Sequence, residues 1–450
     1  MASKGIVLAG FWIGLSLLVT GVVLADEPVT NETLLKEIRA LKDTVSRQAQ
    51  KIDELEKRVA GQETKAQPTG MLVAESDIDK KIDERLSHRA PGYQLMEGLT
   101  LGLETTTIVQ AGHHLNGDLQ LSKNEDVTDA TMTTKISFNK KFGEYGEGYA
   151  QLKAGQGAGL DSSLKLFSYV NSNANDNSSA YFTEAWYEFY FKQISGALTL
   201  GKLDPTNYID TNDYANCDPY QFLGGIFNNS PVIDFPGNNG FGVHFGAAPY
   251  ELFDINLVAM AGNDGWNNVF DAMFLSGQIN FKPKFFGKPG NYRLIAWENG
   301  ANHTKWTDTE EIKENSYGYG LSFDQELTDV IGLFARYGWQ DPKVYLNDSV
   351  FSLEQSWSLG PQFKGSVWGR PADVLGVGFG QIIPSDKYKE AGSDLLAKTE
   401  SYLECYYNIK INDHFALTPD FQVIWQPYGK DATNGDGPIV IGGLRGQMDF

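Results

Sequence analysis

Between residues 181 and 192 the side chains change character at every step. Tyr181, Thr183, Ala185, Tyr187, Phe189 and Phe191 form one row without a charge. Phe182, Glu184, Trp186, Glu188, Tyr190 and Lys192 form the other, which mixes charge with aromatic rings. A period of two belongs to a β-strand whose faces meet different surroundings. A soluble strand rarely runs to this length with such contrast, whereas a strand crossing a bilayer needs about 9–11 residues, one face for lipid and one for water.

The rhythm recurs. At 329–340, Ile331, Leu333, Ala335, Tyr337 and Trp339 oppose Phe334, Arg336 and Gln340. At 399–411, Leu403, Cys405, Tyr407, Ile409 and Ile411 oppose Glu400, Tyr402, Glu404, Tyr406, Asn408 and Lys410. At 415–427, Leu417, Phe421, Val423 and Trp425 oppose Asp420, Gln422 and Gln426. Weaker segments lie at 98–110, 131–142, 146–157, 197–203, 241–248, 251–260, 271–281, 290–300, 316–327, 350–363, 373–384 and 438–450, which makes sixteen. Short connections alternate with long ones rich in Asn, Asp, Ser and Gly; the long ones fall near 111–130, 158–180, 204–240, 261–270, 301–315, 341–349, 385–398 and 428–437. Outer-membrane barrels have short periplasmic turns and longer outer loops, so both ends of residues 98–450 are expected in the periplasm. The closing row Leu444, Gly446, Met448 and Phe450 carries no charge and ends on an aromatic ring. The expected fold is therefore an all-β transmembrane barrel of about sixteen antiparallel strands, wide enough for a water-filled channel.

Composition excludes the main competitors. Mean hydropathy is −0.32, and only one apolar run reaches the length of a spanning helix, so a polytopic helical protein is ruled out. A net charge of −20 argues against nucleic acid, which needs a basic face. The N-terminal region contributes little of this, since residues 26–97 sum to −3 and residues 98–450 to −18. Acidic pore mouths concentrate cations and repel anions.

Ahead of the barrel, Lys4 and the uncharged run 5–25 read as a signal peptide over 1–25, with an uncleaved anchor as the alternative. Leu34, Ile38, Leu41, Val45, Gln48, Ile52, Leu55 and Val59 alternate steps of four and three. That seam predicts a self-associating coiled coil over 26–60; β-branched residues at a with Leu at d suit dimers on propensity. Residues 61–97 read as a linker with a short helix at 76–89. The head is expected in the periplasm, where it could touch the cell wall.

Strand parity nominates Glu184, Trp186, Glu188, Tyr190, Lys202, Arg293, Trp297, Arg336, Glu404, Tyr406, Gln422 and Arg445 as water-facing. The longest connection, 204–240, is the candidate constriction. It holds Asp204, Tyr208, Asp210, Asp213, Asp218, Tyr220, Phe222 and Asp234, stiffened by prolines at 205, 219, 231 and 236. Rings beside amides and charges suit a polar, uncharged solute, provided binding stays weak enough for release. Glu184 and Glu188 would lie about 13 Å apart along a strand, too far for a glycosidase pair at ~5–9.5 Å. No enzyme is expected, and no cofactor or metal; His113-His114 lacks a third ligand. Cys217 and Cys405 give no reason to expect a disulfide.

Several stretches carry a family likeness. Tyr181-Phe-Thr-Glu-Ala-Trp-Tyr-Glu and Leu198-Thr-Leu-Gly-Lys-Leu-Asp204, the loop 222–236 with Phe227-Asn228, Ser230-Pro231 and Phe235-Pro236, and above all Leu417-Thr-Pro-Asp-Phe-Gln-Val-Ile-Trp-Gln-Pro427 leading to Gly443-Leu-Arg and Phe450 resemble carbohydrate-selective porins of the OprB type. The resemblance covers roughly 98–450 and leaves the head outside. It implies a sixteen-stranded outer-membrane channel for mono- and small oligosaccharides, a C-terminal Phe450 row read as an assembly signal, and trimers. The other readings from the sequence are a non-selective or weakly cation-selective general porin whose head tethers membrane to cell wall, and a secreted β-rich carbohydrate-active protein.

Overall fold

The computed structural model describes residues 93–117, 125–263, 266, 268–304, 313–343, 353–390 and 394–450. The expected signal peptide, coiled coil and most of the linker lie outside them. The described sheet has 18 strands, two of them short pieces at Tyr93–Met96 and Lys284–Phe285 that extend neighbouring hairpins. The remaining sixteen are β1 (Leu99–Leu115), β2 (Glu125–Lys141), β3 (Glu147–Gln156), β4 (Tyr181–Phe191), β5 (Gly196–Leu203), β6 (Gly240–Tyr250), β7 (Phe253–Ala261), β8 (Met273–Phe281), β9 (Lys288–Thr304), β10 (Lys313–Glu326), β11 (Ile331–Gln340), β12 (Leu353–Lys364), β13 (Val374–Pro384), β14 (Glu400–Lys410), β15 (Phe415–Trp425) and β16 (Ile439–Asp449). Each pairs antiparallel with its sequence neighbours.

The sheet closes where β16 meets β1, in register from Val440 opposite His113 to Asp449 opposite Glu104. Phe450 adds a last rung: its N–H donates to the Leu103 carbonyl and its carbonyl accepts the Leu103 N–H, both at 2.8 Å. Closure leaves no unpaired edge, the condition for a sheet in lipid. Long and short connections alternate as expected, but two long ones are shorter than the sequence suggests. β1 and β2 keep pairing beyond bilayer length, leaving 116–124, and β9 with β10 leave 305–312.

Side chains alternate between a greasy outside and a polar inside. Leu257, Leu275, Ile279 and Leu294 stand 47–55% exposed on the outer surface. Their lumen-side neighbours Gln278 and Arg293 are buried. One expectation fails locally. Gln151 faces Glu184 while Leu152 faces Phe182, so a bulge sits at Thr183. A bulge turns two successive residues to one side. Phe182 therefore points outward, 50% exposed, and Tyr181 and Thr183 line the interior instead. Lys192 leaves the strand altogether for the turn Lys192–Ile194, where it pairs with Glu144 at 3.2 Å.

The turn before β3 depends on Gly146. Its φ is 132°, and an added Cβ would lie 1.9 Å from the Glu188 carbonyl oxygen. Gly146→Ala is expected to destabilise the barrel by about 1–3 kcal/mol, read as a lower urea midpoint for the heat-modifiable folded band. Gly442→Ala, with nothing within 4 Å of the new methyl, should leave the midpoint unchanged.

Candidate functional site

The segment 204–239 between β5 and β6 turns into the barrel. Asp204 starts it, accepting the Thr206 N–H at 3.0 Å to cap the turn Pro205–Asn207. Lumen-facing side chains of the far wall then hold its backbone. Arg336 donates Nη1 to the Phe227 carbonyl (2.7 Å), Nη2 to the Asp210 carbonyl (3.0 Å) and Nε to the Asp210 carboxylate (3.1 Å). Asp210 also accepts the Ser230 N–H at 2.7 Å, which ties the start of the segment to its middle. Glu404 accepts the N–H groups of Leu223 (2.5 Å) and Gly224 (2.8 Å). Arg445 donates Nη1 to the carbonyls of Asp218 (2.5 Å) and Gln221 (2.8 Å), and the Tyr220 hydroxyl donates to Asp449. Buried polar groups are tolerated where they are hydrogen-bonded in this way. Phe222 and Phe227 fill the space beneath, packed on Phe334 and Tyr406 with ring centroids 4.8–6.4 Å apart. Gly378 of β13 makes room: a Cβ there would sit 2.7 Å from the Phe227 ring.

A second segment, 157–180, folds inward beside the first; in the sequence it is marked only as one of the long connections. Ser172 donates its N–H to the Leu223 carbonyl (2.8 Å), Gly225 to that of Tyr169 (2.9 Å), and Asn173 Nδ2 to the Asp218 carboxylate (2.5 Å). Gln422 of β15 donates to the Val170 carbonyl at 3.0 Å. Asp161 closes the segment on itself by accepting the N–H groups of Val170 and Asn171. Burial outweighs those two bonds and pushes its carboxyl up to about 6.

The space left over is a cavity of about 1470 Å³ against the β2–β9 wall. Asn238, Asn239 and Trp266 line it at the long-loop end; Tyr250, Glu251 and Lys284 line it at the short-turn end. Between them Lys135, Lys153 and Lys202 from the wall face Tyr169, Asp204, Asn207, Asp213 and Asp218 from the two segments. Lys135 pairs with Glu104 at 3.1 Å. Trp186 lies against Tyr149, ring centroids 5.1 Å apart, and donates its indole N–H to Glu184 at 3.0 Å. Asn207 Nδ2 reaches the same carboxylate at 3.2 Å, and Glu188 accepts the Thr199 hydroxyl at 2.6 Å.

The nominated residues thus divide. Glu184, Trp186, Glu188, Tyr190, Lys202, Asp204, Tyr208, Asp213 and Arg293 line the cavity. Arg336, Glu404 and Gln422 point inward as parity predicts, and Asp210, Tyr220 and Phe222 lie within the inward loop, but all six hold the two segments and take no part in the lining. Trp297 is buried in a cluster with Ile233, Phe274 and Ile295. The reason is physical: an inward-folded segment covers half the wall, and strand parity alone cannot say which half. Lys135, Lys153, Tyr169 and Asn207 were missed. The row Thr133, Lys135, Ser137 against Thr134, Ile136, Phe138 carries the signal for Lys135, and Lys153 stands opposite it in register. Both cysteines are free; burial pushes the Cys217 thiol up to about 12.

Comparison with known proteins now adds to this geometry. The family model for carbohydrate-selective porins, OprB family, matches residues 100–450. The chain belongs to that family. Among solved structures, the high-pH structure of Pseudomonas putida OprB aligns with a TM-score of 0.67 at 17% identity, covering 83% of this chain and 97% of that one. The outer membrane channel DcaP of Acinetobacter baumannii aligns at 0.48 and 12% identity, covering 80% and 99%. An anion-selective porin from Comamonas acidovorans aligns at 0.49 and 10%, covering 78% and 99%. A search of curated proteins gave no match. The barrel is therefore an outer-membrane porin, a channel and not an enzyme.

Two outcomes follow from the anchoring. Arg336→Ala leaves the Asp210 carboxylate buried without its partner, a loss of about 3–5 kcal/mol; the inward segment loosens, and single-channel conductance in planar bilayers should rise and become noisier. Asp161 carries a raised carboxyl, so its contribution to stability is present below about pH 4 and is lost as pH rises through about 6. Amide-exchange protection over 157–180, corrected for intrinsic rates, should fall across that window, and Asp161→Asn should flatten the change.

Proposed function

We propose that this porin passes neutral mono- and small oligosaccharides by passive diffusion. The observation that carries the reading is the cavity running from long-loop residues to short-turn residues, with mixed hydrogen-bonding groups between them. Carboxylates, amides and ammonium groups there exchange hydrogen bonds with hydroxyls, and the half-exposed Tyr169 ring offers an apolar face for a pyranose. No group in that set binds a neutral sugar tightly, which suits a path that must also release it. The two inward segments set the bore, and the wall lysines opposite loop aspartates orient a polar solute.

A second reading is a cation-leaning general porin. Its support is the lining itself, where Glu104, Glu147, Glu184, Glu188, Asp204, Asp213, Asp218, Glu251 and Asp254 outnumber Lys135, Lys153, Lys202, Lys282, Lys284 and Arg293. An acidic bore favours cations and slows anions. In either reading the heptad segment joins copies of the chain in the periplasm, as trimers by the resemblance, and is free to touch the cell wall.

Liposome swelling separates the two readings. Glucose and maltose should enter faster than uncharged non-sugar solutes of equal size; equal rates would remove sugar selectivity and leave the general porin. Gluconate should enter more slowly than glucose at low salt, with the gap closing as salt screens the lining charges.

A further inference from the structure

Along the wall of the channel, His244 of β6 is fully buried and touches the inward segment directly. Its ring stacks on Tyr208, centroids 3.8 Å apart and planes 19° apart. Tyr208 lines the cavity, close to where the segment leaves β5. Two hydrogen bonds bear on the charge of the imidazole. The Thr199 hydroxyl donates its one proton to Glu188 at 2.6 Å, so its oxygen can only accept from His244 Nδ1, 3.2 Å away. On the other side Asn256 turns its amide N–H toward Asp254, so its Oδ1 faces His244 Nε2 at 3.0 Å. Both ring nitrogens thus face acceptors. A neutral imidazole has one donor, and an imidazolium has two.

We infer that His244 is a positioning residue of the channel: as an imidazolium it clamps β5 to β7 and seats Tyr208, and through Tyr208 it fixes the base of the constricting segment. The charges that face it support the assignment. Glu188 of β4 is one hydrogen bond away through Thr199, and Asp254 of β7 one away through Asn256. Asp254 is shared with Lys282 at 3.0 Å and with Asn280 of β8 at 3.2 Å. From the inward segment the titratable Tyr208 is in ring contact with it, and Gly242 and Gly246 flank His244 on its own strand. Loss of one ring proton leaves an acceptor facing a bare nitrogen lone pair, which breaks one side of the clamp and frees the Tyr208 stack. The channel there then widens or fluctuates as pH rises.

This inference rests on the channel reading but not on which solute passes, so ion current tests it. Purified protein is reconstituted in planar bilayers and its single-channel conductance followed between about pH 5 and 8, where a histidine changes charge. Wild type should show a step; His244→Gln, which keeps a polar ring-sized group without a titrating nitrogen, should lose it. Thr199→Val removes the acceptor while keeping the imidazole, and should shift the pH at which the step occurs. A wild-type profile without a step overturns the inference, and so does an unchanged step in His244→Gln. Should His244→Gln fail to fold, an unmoved step in Thr199→Val decides against it. Absence of any current from wild type would instead contradict the channel reading itself.

Discussion

Within a bilayer core no water is present to bond a stray N–H or C=O, so every backbone polar group must find its partner inside the chain. That constraint shapes all that is described above. It demands strands that pair on both sides and a sheet that closes, as β16 does on β1, with Phe450 bonded to Leu103. It also separates two surfaces completely. Once β16 meets β1, the outer row can be uniformly apolar and the inner row can carry charge, because no side chain has to serve both solvents.

The polar interior then does something a hydrophobic core cannot. It supplies donors and acceptors that catch the backbone of two long segments and hold them inside the barrel. Arg336, Glu404 and Arg445 each bind main-chain groups of 204–239, while Gln422 binds 157–180. Hydrogen bonds to the segments offset part of the desolvation cost of these polar groups. Apolar packing completes the arrangement, with Phe222 and Phe227 wedged between Phe334 and Tyr406. Passage is therefore confined to the side of the barrel the segments leave open, and the chemistry of that side decides what crosses.

Much of this was legible in the sequence. The two-residue rhythm gave strand number, facing and the alternation of turns and loops, because one physical cause, lipid outside and water inside, acts at every position. What escaped it depended on contacts between residues far apart in the chain. The bulge at Thr183 flips Phe182 and Tyr181 without any mark in the alternating pattern. The inward turn of 157–180 depends on distant partners such as Gln422 and Leu223. For the same reason Arg336 and Lys202 look equally water-facing by parity, yet one grips a loop and the other faces the cavity.

The account stands on a closed cylinder with water inside and lipid outside, and site-directed thiol labelling tests that directly. In a background with Cys217 and Cys405 replaced, single cysteines are placed at Lys153 or Lys202 on the lumen wall and at Leu275 or Leu294 on the outer row. In lipid vesicles, a charged, membrane-impermeant maleimide should modify Lys153→Cys and Lys202→Cys and leave Leu275→Cys and Leu294→Cys untouched until detergent or denaturant is added. Labelling of the outer pair with protection of the inner pair, or equal labelling of all four, would contradict it.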